Sequence, residues 1–260
     1  CKGIKVASGT RHIAYLQGPP TQYYWGMYDQ YIANPGFGKL NWLARLGLKL
    51  LVKPMRRSDW RAAQRPDTLL ANSHYVADEI KRYYGRPSQV LFPLAQVDQI
   101  KLASQQVKAK DIRQIRQELF KGGDFYVVAG RQVNWKRFDL AIQACLKTGE
   151  NLLVIGSGPE HNSLVKLAGN NSQIKFLPKY DGVGEIVKYY RSAKGLIFPS
   201  LEPFGIVPVE ALASGLPVLA FRRGGSADII RDGINGLFFP EQTVDSLAEG
   251  IKRFNVAQFK

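Results

Sequence analysis

The chain has 260 residues, 45% hydrophobic and 22% charged, which is material for one large domain or two of ordinary size with a real core. Its two cysteines, Cys1 and Cys145, are too few for a disulfide framework and point to a reducing compartment, and no apolar run reaches the ~18 residues of a membrane span. Thirty-six Lys and Arg against 21 Asp and Glu give a net charge of +15, which draws such a chain to anionic partners: nucleic acid, an acidic membrane or phosphorylated substrates.

The first residues carry no signal-peptide pattern. "HIAYLQ", from His12, reads as a strand. The stretch Lys39 to Arg65 follows, with Lys39, Arg45, Lys49, Lys53, Arg56, Arg57, Arg61 and Arg65 against Asp59 alone. Mixed with Leu and Trp, it reads as a pair of basic amphipathic helices broken near Pro54. Either a buried Leu stripe backs a solvated basic face, or the stretch meets anionic lipid. "TLLANS" is a second strand. "SHYVADEIKRYYG" is a helix with Ser73 as N-cap and Gly85 as its stop. "SQVLFP" is a third strand. The polar stretch "AQVDQIKLASQQVKAKDIRQIRQELFKGG" then separates two halves, which places a first domain over residues 1–100 and a second over 101–260. The first half lacks the early glycine-rich strand-to-helix turn of a doubly wound domain, so its opening strands are expected to be missing.

From about Asp124 the pattern is regular. "DFYVVAG", "NLLVIGSG", "IKFLP", "GLIFPS" and "PVLAF" are short, almost wholly apolar runs. Helical patterns such as "FDLAIQACLKTG", "EHNSLVKLAG", "GEIVKYYRSA" and "PVEALASG" alternate with them. Strands without polar alternation that take turns with helices make a parallel sheet covered on both faces. The fold class is therefore α/β.

In such a sheet, ligands sit beyond the C-terminal ends of the strands. Leu201 to Gly205 lies just past "GLIFPS", and a helix is expected from about Ile206, with Pro208 in its first turn and Gly215 ending it. Glu202 hangs on the loop and Glu210 sits about one turn inside the helix. The N–H groups of Gly205 to Val207 lie between them. A helix N-terminus suits phosphate, and carboxylates suit hydroxyls, so the pair describes a site for a nucleotide sugar. "VVAGRQVNWKRFD" adds Gly130, Arg131 and, where the next helix should begin, Lys136, two cations able to neutralise a departing diphosphate. Gly224 and Gly225 of "RRGGSADII" let a backbone approach an anion. Gly156-Ser157-Gly158 reads as a tight turn with some ligand contact. Singly, each has a plainer account: Glu202 as a solvated loop acid, Glu210 as a helix-dipole partner, Arg131 and Lys136 as surface charges. His12, His74 and His161 are scattered and form no metal-binding spacing.

The residues "GRQVNWKRFD", "VIGSGPE", "FLPKYD", "EPFGIVPVE", "ALASGLPVLAFRRGG" and "DGINGLFF" resemble the donor-binding domain of family 4 glycosyltransferases of the GT-B fold. "HIAYLQGPPTQYYWGMYDQY" and "RRSDWRAAQRPDTLLANSHYVADEIKRYYGR" resemble that family's acceptor domain, in its mannosyltransferase-like branch. The resemblance implies two Rossmann-like lobes, the first incomplete, in a chain truncated at both ends. It implies a retaining, metal-independent transfer of a hexose, mannose in that branch, from a GDP- or UDP-hexose to a glycan or lipid-linked acceptor, with no cofactor. Arg131 and Lys136 would hold the diphosphate and Glu202 the sugar hydroxyls. Phe204, Gly205 and Ile206 would offer backbone N–H groups, and Glu210 would hold the ribose. Gly130 would lie beside the donor, with Leu177 to Lys179 bordering the base. The expected setting is cytoplasmic, at the inner face of a membrane, with no nucleic-acid partner.

The chain departs from the family where Gln17 replaces a histidine of the acceptor side, where Pro178 replaces a glycine, and where Asp228 replaces a glutamate. Gln17 cannot titrate, though its amide still hydrogen-bonds. Two other readings remain open here. One is a nucleotide-sugar-binding relic without turnover, favoured by Gln17. The other is a nucleic-acid binder, favoured by the charge but lacking any recognition motif for that task.

Overall fold

The computed structural model describes residues 2–20, 25–26, 28–33 and 38–259, so part of the acceptor-like run "HIAYLQGPPTQYYWGMYDQY" lies outside the described residues. The chain divides into two compact units, Cys1–Pro93 and Leu94–Lys260.

The first unit holds β1 (Ile13–Leu16), α1 (Tyr28–Ala33), α2 (Asn41–Ala63), β2 (Thr68–Ala71), α3 (His74–Tyr84) and β3 (Gln89–Val90). Its strands form a parallel sheet in the order β1-β2-β3, with Ile13 opposite Thr68 and Leu70 opposite Gln89. Ala14, Leu69 and Ala71 pack with Ala63 of α2 and with Val76, Ile80 and Tyr84 of α3. Helix α3 starts and stops where its sequence dictates. The Ser73 hydroxyl accepts from Val76 N, and Gly85 closes the helix in the left-handed region at φ 67°.

Helix α2 corrects an expectation. It runs unbroken for 23 residues through Pro54. The proline deprives the carbonyl one turn back, at Leu50, of its helical partner, but both residues are exposed and water can take that bond. Nor is there a buried Leu stripe, because the buried residues of α2 are Val52, Asp59 and Ala63. Asp59 Oδ2 accepts from Trp25 Nε1 at 2.8 Å and from the Tyr84 hydroxyl at 2.6 Å, while Oδ1 lies 2.6 Å from Lys2 Nζ. Burial alone would raise the pKa of this carboxyl. The bonds from Lys2, Tyr84 and Trp25 outweigh it and hold Asp59 below the ordinary aspartate range.

The second unit opens with α4 (Val97–Gln106) and α5 (Ala109–Phe120). It continues with β4 (Tyr126–Ala129), α6 (Phe138–Thr148), β5 (Leu152–Ile155), α7 (His161–Ala168), β6 (Ile174–Leu177), α8 (Gly182–Ser192), β7 (Gly195–Phe198), α9 (Ile206–Ala213), β8 (Val218–Phe221), α10 (Ser226–Ile229), β9 (Gly236–Phe239) and α11 (Val244–Val256). Its six strands are all parallel, in the order β6-β5-β4-β7-β8-β9. The wholly apolar strands divide their side chains by period two. Tyr126, Val128, Leu152, Val154, Ile197 and Leu219 enter a core with α6, α7 and α11. Phe125, Val127, Leu153, Ile155, Leu196 and Val218 enter the opposite core, with α8 and α9. The polar stretch expected to separate the halves folds instead as α4 and α5. Ile100, Ile115 and Leu119 face that second core, α4 packs on α8 and α9, and α5 packs on α8. The units accordingly divide ahead of α4 rather than at residue 100.

Asp59→Ala should cost the first unit about 3 kcal/mol in chemical denaturation, as expected for one partner removed from a buried pair. Because the folded pKa of Asp59 is lowered, its stabilisation is present above the unfolded value and fades as pH falls through the folded one. The stability gap between wild type and Asp59→Ala should therefore narrow below pH ~3.8, the ordinary aspartate value.

Candidate functional site

The strand order fixes where a ligand can enter the second unit. From β4 the chain builds outward through β5 and β6, then returns to the other side of β4 and builds outward through β7, β8 and β9. The loops after β4 and β7 therefore diverge at the C-terminal ends of two neighbouring strands. Such a switch point leaves a crevice.

Both charged clusters sit on those two loops. Lys136 follows β4, at the end of a 3₁₀ turn, Asn134–Lys136, with α6 beginning only at Phe138. Glu202 follows β7. Lys136 Nζ lies 3.1 Å from Glu202 Oε1, and the two side chains are only 14% and 12% exposed. Glu202 Oε1 also accepts from the buried Ser200 hydroxyl at 3.0 Å. Gly130 gives the lysine room. A Cβ there would stand 2.9 Å from Lys136 Nζ.

Helix α9 starts from the same loop. Gly205 precedes it at φ 102°, a conformation that side chains other than glycine's rarely allow. The first amides of α9 have no intrahelical carbonyl to serve and face the crevice end of the helix with its positive dipole. Ile206 is exposed there, while Phe204 is buried. Glu210 lies further along α9. Burial raises its pKa above the ordinary glutamate range, and the Lys136 charge opposes that rise. Tyr180, on the loop after β6, and the buried Tyr190 of α8 both have phenols raised by burial and secondarily by the Glu210 carboxylate. Lys136, Glu202, Glu210 and Tyr180 thus share one electrostatic neighbourhood. Arg131 and Lys179 are exposed on loops at the same ends of the strands, and no ion pair engages either among the described residues. Gln17 belongs to the first unit, exposed just past β1, its carbonyl accepting from Asn72 Nδ2 at 2.8 Å.

Residues that sequence reasoning passed over hold these loops. Gln132 is fully buried. Its Nε2 donates to the Gly156 carbonyl at 2.7 Å, and its Oε1 lies 2.8 Å from His161 Nδ1. Its N–H donates to the Ser157 carbonyl, and its own carbonyl accepts from Glu160 N. Gly156 and Gly158 serve this crossing. A Cβ at Gly156 would fall 2.1 Å from the Gly130 carbonyl oxygen, and one at Gly158 would fall 2.3 Å from that of Gln132. Gly224 and Gly225 work the same way on the β7 loop. Gly225 N donates to the Glu202 carbonyl at 2.9 Å, and a Cβ on Gly225 would stand 2.2 Å from Phe204 Cα. The main chain of Glu202 and Phe204 fills the space that a Cβ on these two glycines would need. A polar residue in a loop reads as solvated, and only the fold shows Gln132 and Ser200 buried.

Residues 110–255, more than half of the chain, match the sequence family described as glycosyl transferases group 1. The chain belongs to this family. A glycosyltransferase of Methanocaldococcus jannaschii, itself uncharacterized, is 35% identical over 48% of this group 1 chain and 34% of its own length. A D-inositol 3-phosphate glycosyltransferase of Streptomyces bingchenggensis is 29% identical over 73% of this chain and 45% of its own. The chain thus spans less than half the length of these curated relatives. Among solved structures, Anabaena HepE in complex with UDP and glucose matches with a TM-score of 0.66 at 19% identity, over 94% of this chain and 61% of its own. WaaG, a glycosyltransferase involved in lipopolysaccharide biosynthesis, matches with a TM-score of 0.66 at 20% identity, over 94% and 65%. These likenesses and the two parallel sheets establish the GT-B-like, two-lobed α/β fold of this group 1 chain.

Two outcomes test this geometry in the group 1 chain. Gly225→Ala should lower the stability of the second unit by about 1–3 kcal/mol, the usual cost of overpacking, because Phe204 backbone stands where the new methyl must go. Glu210→Gln should raise the thermal midpoint of the unliganded protein at pH 7. A carboxyl whose folded pKa is raised loses stability as pH rises through that value, and the amide carries no such charge.

Proposed function

We propose that this chain belongs to a retaining, metal-independent glycosyltransferase, with its second unit binding the donor. The enzyme moves a hexose, mannose in the branch it resembles, from a GDP- or UDP-hexose to a glycan or lipid-linked acceptor. The observation that carries the reading is the shielded Lys136–Glu202 pair across the switch point, beside the N-terminus of α9. A cation and helix amides suit a diphosphate, and carboxylates on either side of them suit hydroxyls. The UDP and UDP-glucose held by the HepE structures support a nucleotide sugar as the ligand.

In this reading Lys136 and Arg131 bind the diphosphate, helped by the amides of Gly205 and Ile206. Gly130 leaves space for the lysine, and Lys179 borders the base. Glu210 accepts from the ribose hydroxyls. Lys136 turns from Glu202 to the diphosphate as donor enters, which frees Glu202 for the sugar hydroxyls. The bond from the sugar's anomeric carbon to the diphosphate breaks, and the acceptor hydroxyl oxygen bonds to that carbon. The acceptor proton leaves with the diphosphate. Fixed cations and amide dipoles stabilise the leaving group where other enzymes use a metal ion. Gln17 favours a second reading, donor binding without turnover, because an amide cannot exchange a proton as an imidazole does. Product formation separates the two.

The two glutamates should fail differently in a form of the protein that turns over donor. Glu210 serves bound donor and transition state alike, so Glu210→Ala should mainly raise the donor KM. Glu202 lies where positive charge builds on the sugar, so Glu202→Ala should lower kcat by roughly ten- to a thousandfold. Normal KM and kcat in both variants would make the pair structural and remove the basis of the reading.

A further inference from the structure

Helix α2 presents to solvent what a helix ordinarily hides. Trp42 is 64% exposed, Leu50 67% and Trp60 46%, and Leu43, Leu46, Leu51 and Met55 are exposed with them. Trp42 and Trp60 are a whole number of turns apart at ~3.6 residues per turn. Both rings therefore leave the helix on one side. Leu46 and Leu50 follow Trp42 at one-turn steps on that side, and Lys53 and Arg57 continue the row toward Trp60.

The cations of this helix fall into two groups. Arg45 donates to the carbonyls of Ile32 and Ala33, and the Arg56 guanidinium lies about 5 Å over the Trp25 and Tyr28 rings. Those two have structural work. Lys49, Lys53, Arg57 and Arg61 are exposed, and none of them makes an ion pair among the described residues. The only acid of the helix, Asp59, is buried. The outward face of α2 thus combines large apolar groups, two tryptophans and free positive charge, with no negative charge.

We propose that this face of α2 docks on the surface of a bilayer rich in acidic phospholipid. The helix would lie in the interface, its Trp and Leu side chains below the headgroups and its Lys and Arg side chains at the level of the phosphates. This chemistry separates a bilayer from other polyanions: nucleic acid would use the cations and leave the row of Trp and Leu in water. The helix lies on the membrane rather than crossing it, since no helix among the described residues is long and apolar enough to span one. The proposal stands apart from the donor site and does not depend on it.

The test is co-sedimentation with vesicles of neutral phosphatidylcholine alone and of the same lipid with about a third phosphatidylglycerol. The wild-type chain should bind the acidic vesicles at least ~tenfold more strongly, and the difference should shrink as salt is raised. Lys49→Gln, Lys53→Gln, Arg57→Gln and Arg61→Gln together should abolish the preference for acidic lipid. Trp42→Ala with Leu46→Ala and Leu50→Ala should reduce binding to acidic vesicles ~tenfold with the charge unchanged. All seven positions are exposed, so circular dichroism and thermal midpoints should match wild type. Equal binding to both vesicle types, or wild-type binding by the apolar variant, would overturn the proposal. So would a dimer in solution that the apolar variant splits without any vesicle binding, which would make the face a contact between copies. A DNA duplex bound equally by wild type and the apolar variant, with no vesicle binding by either, would make it a nucleic-acid surface instead.

Discussion

The ion pair between Lys136 and Glu202 is the constraint on which the candidate site depends. It joins the loops that leave two adjacent strands, β4 and β7, in opposite topological directions. Left alone, those loops would diverge and the crevice would be an open slot. A pair this shielded costs desolvation of both charges and recovers it only with good geometry and further bonds. The Ser200 hydroxyl supplies one such bond. The arrangement stores a cation and an anion side by side at the place where a ligand carrying both phosphates and hydroxyls would separate them.

Everything around the pair keeps these two loops in register. Below it, both faces of the sheet are filled by alternate side chains of the same strands, so the strand ends cannot shift without opening one core or the other. Beside it, main chain crosses main chain at distances that exclude a Cβ. Gly156 and Gly158 lie against Gly130 and Gln132 on one side, and Gly224 and Gly225 lie against Glu202 and Phe204 on the other. Gln132 ties the first crossing with four hydrogen bonds from a buried position. The site is therefore preorganised by backbone contacts, and its charged side chains stand on loops that behave as part of the sheet.

Much of this was legible in the residues. Apolar runs bounded by glycine gave the parallel sheet, because a strand buried on both faces has no polar alternation to confuse with a surface strand. Ser73 and Gly85 marked the ends of α3, and Glu202 and Glu210 were placed by the strand end before them and Pro208 between them. What was not legible depended on contacts remote in sequence. Pro54 looked like a break, yet an exposed helix tolerates one unserved carbonyl. The polar stretch before β4 looked like a linker, yet its sparse apolar residues Ile100, Ile115 and Leu119 suffice to dock α4 and α5. Gly224 and Gly225 read as a turn open to an anion, and sequence alone does not show the Glu202 and Phe204 main chain that crosses them. The Leu residues of α2 looked like core, and burial of Asp59 in their place follows from its remote partners Lys2, Trp25 and Tyr84.

The most direct measurement of the central claim is calorimetric titration of the chain with a nucleoside, its monophosphate and its diphosphate, in the uridine and guanosine series. If Lys136 and the α9 amides form a diphosphate site, affinity should climb sharply at the diphosphate in at least one series, and Lys136→Met should remove that increment while leaving the nucleoside's own affinity in place. Equal affinity across all three ligands, or an increment untouched in Lys136→Met, would contradict the account.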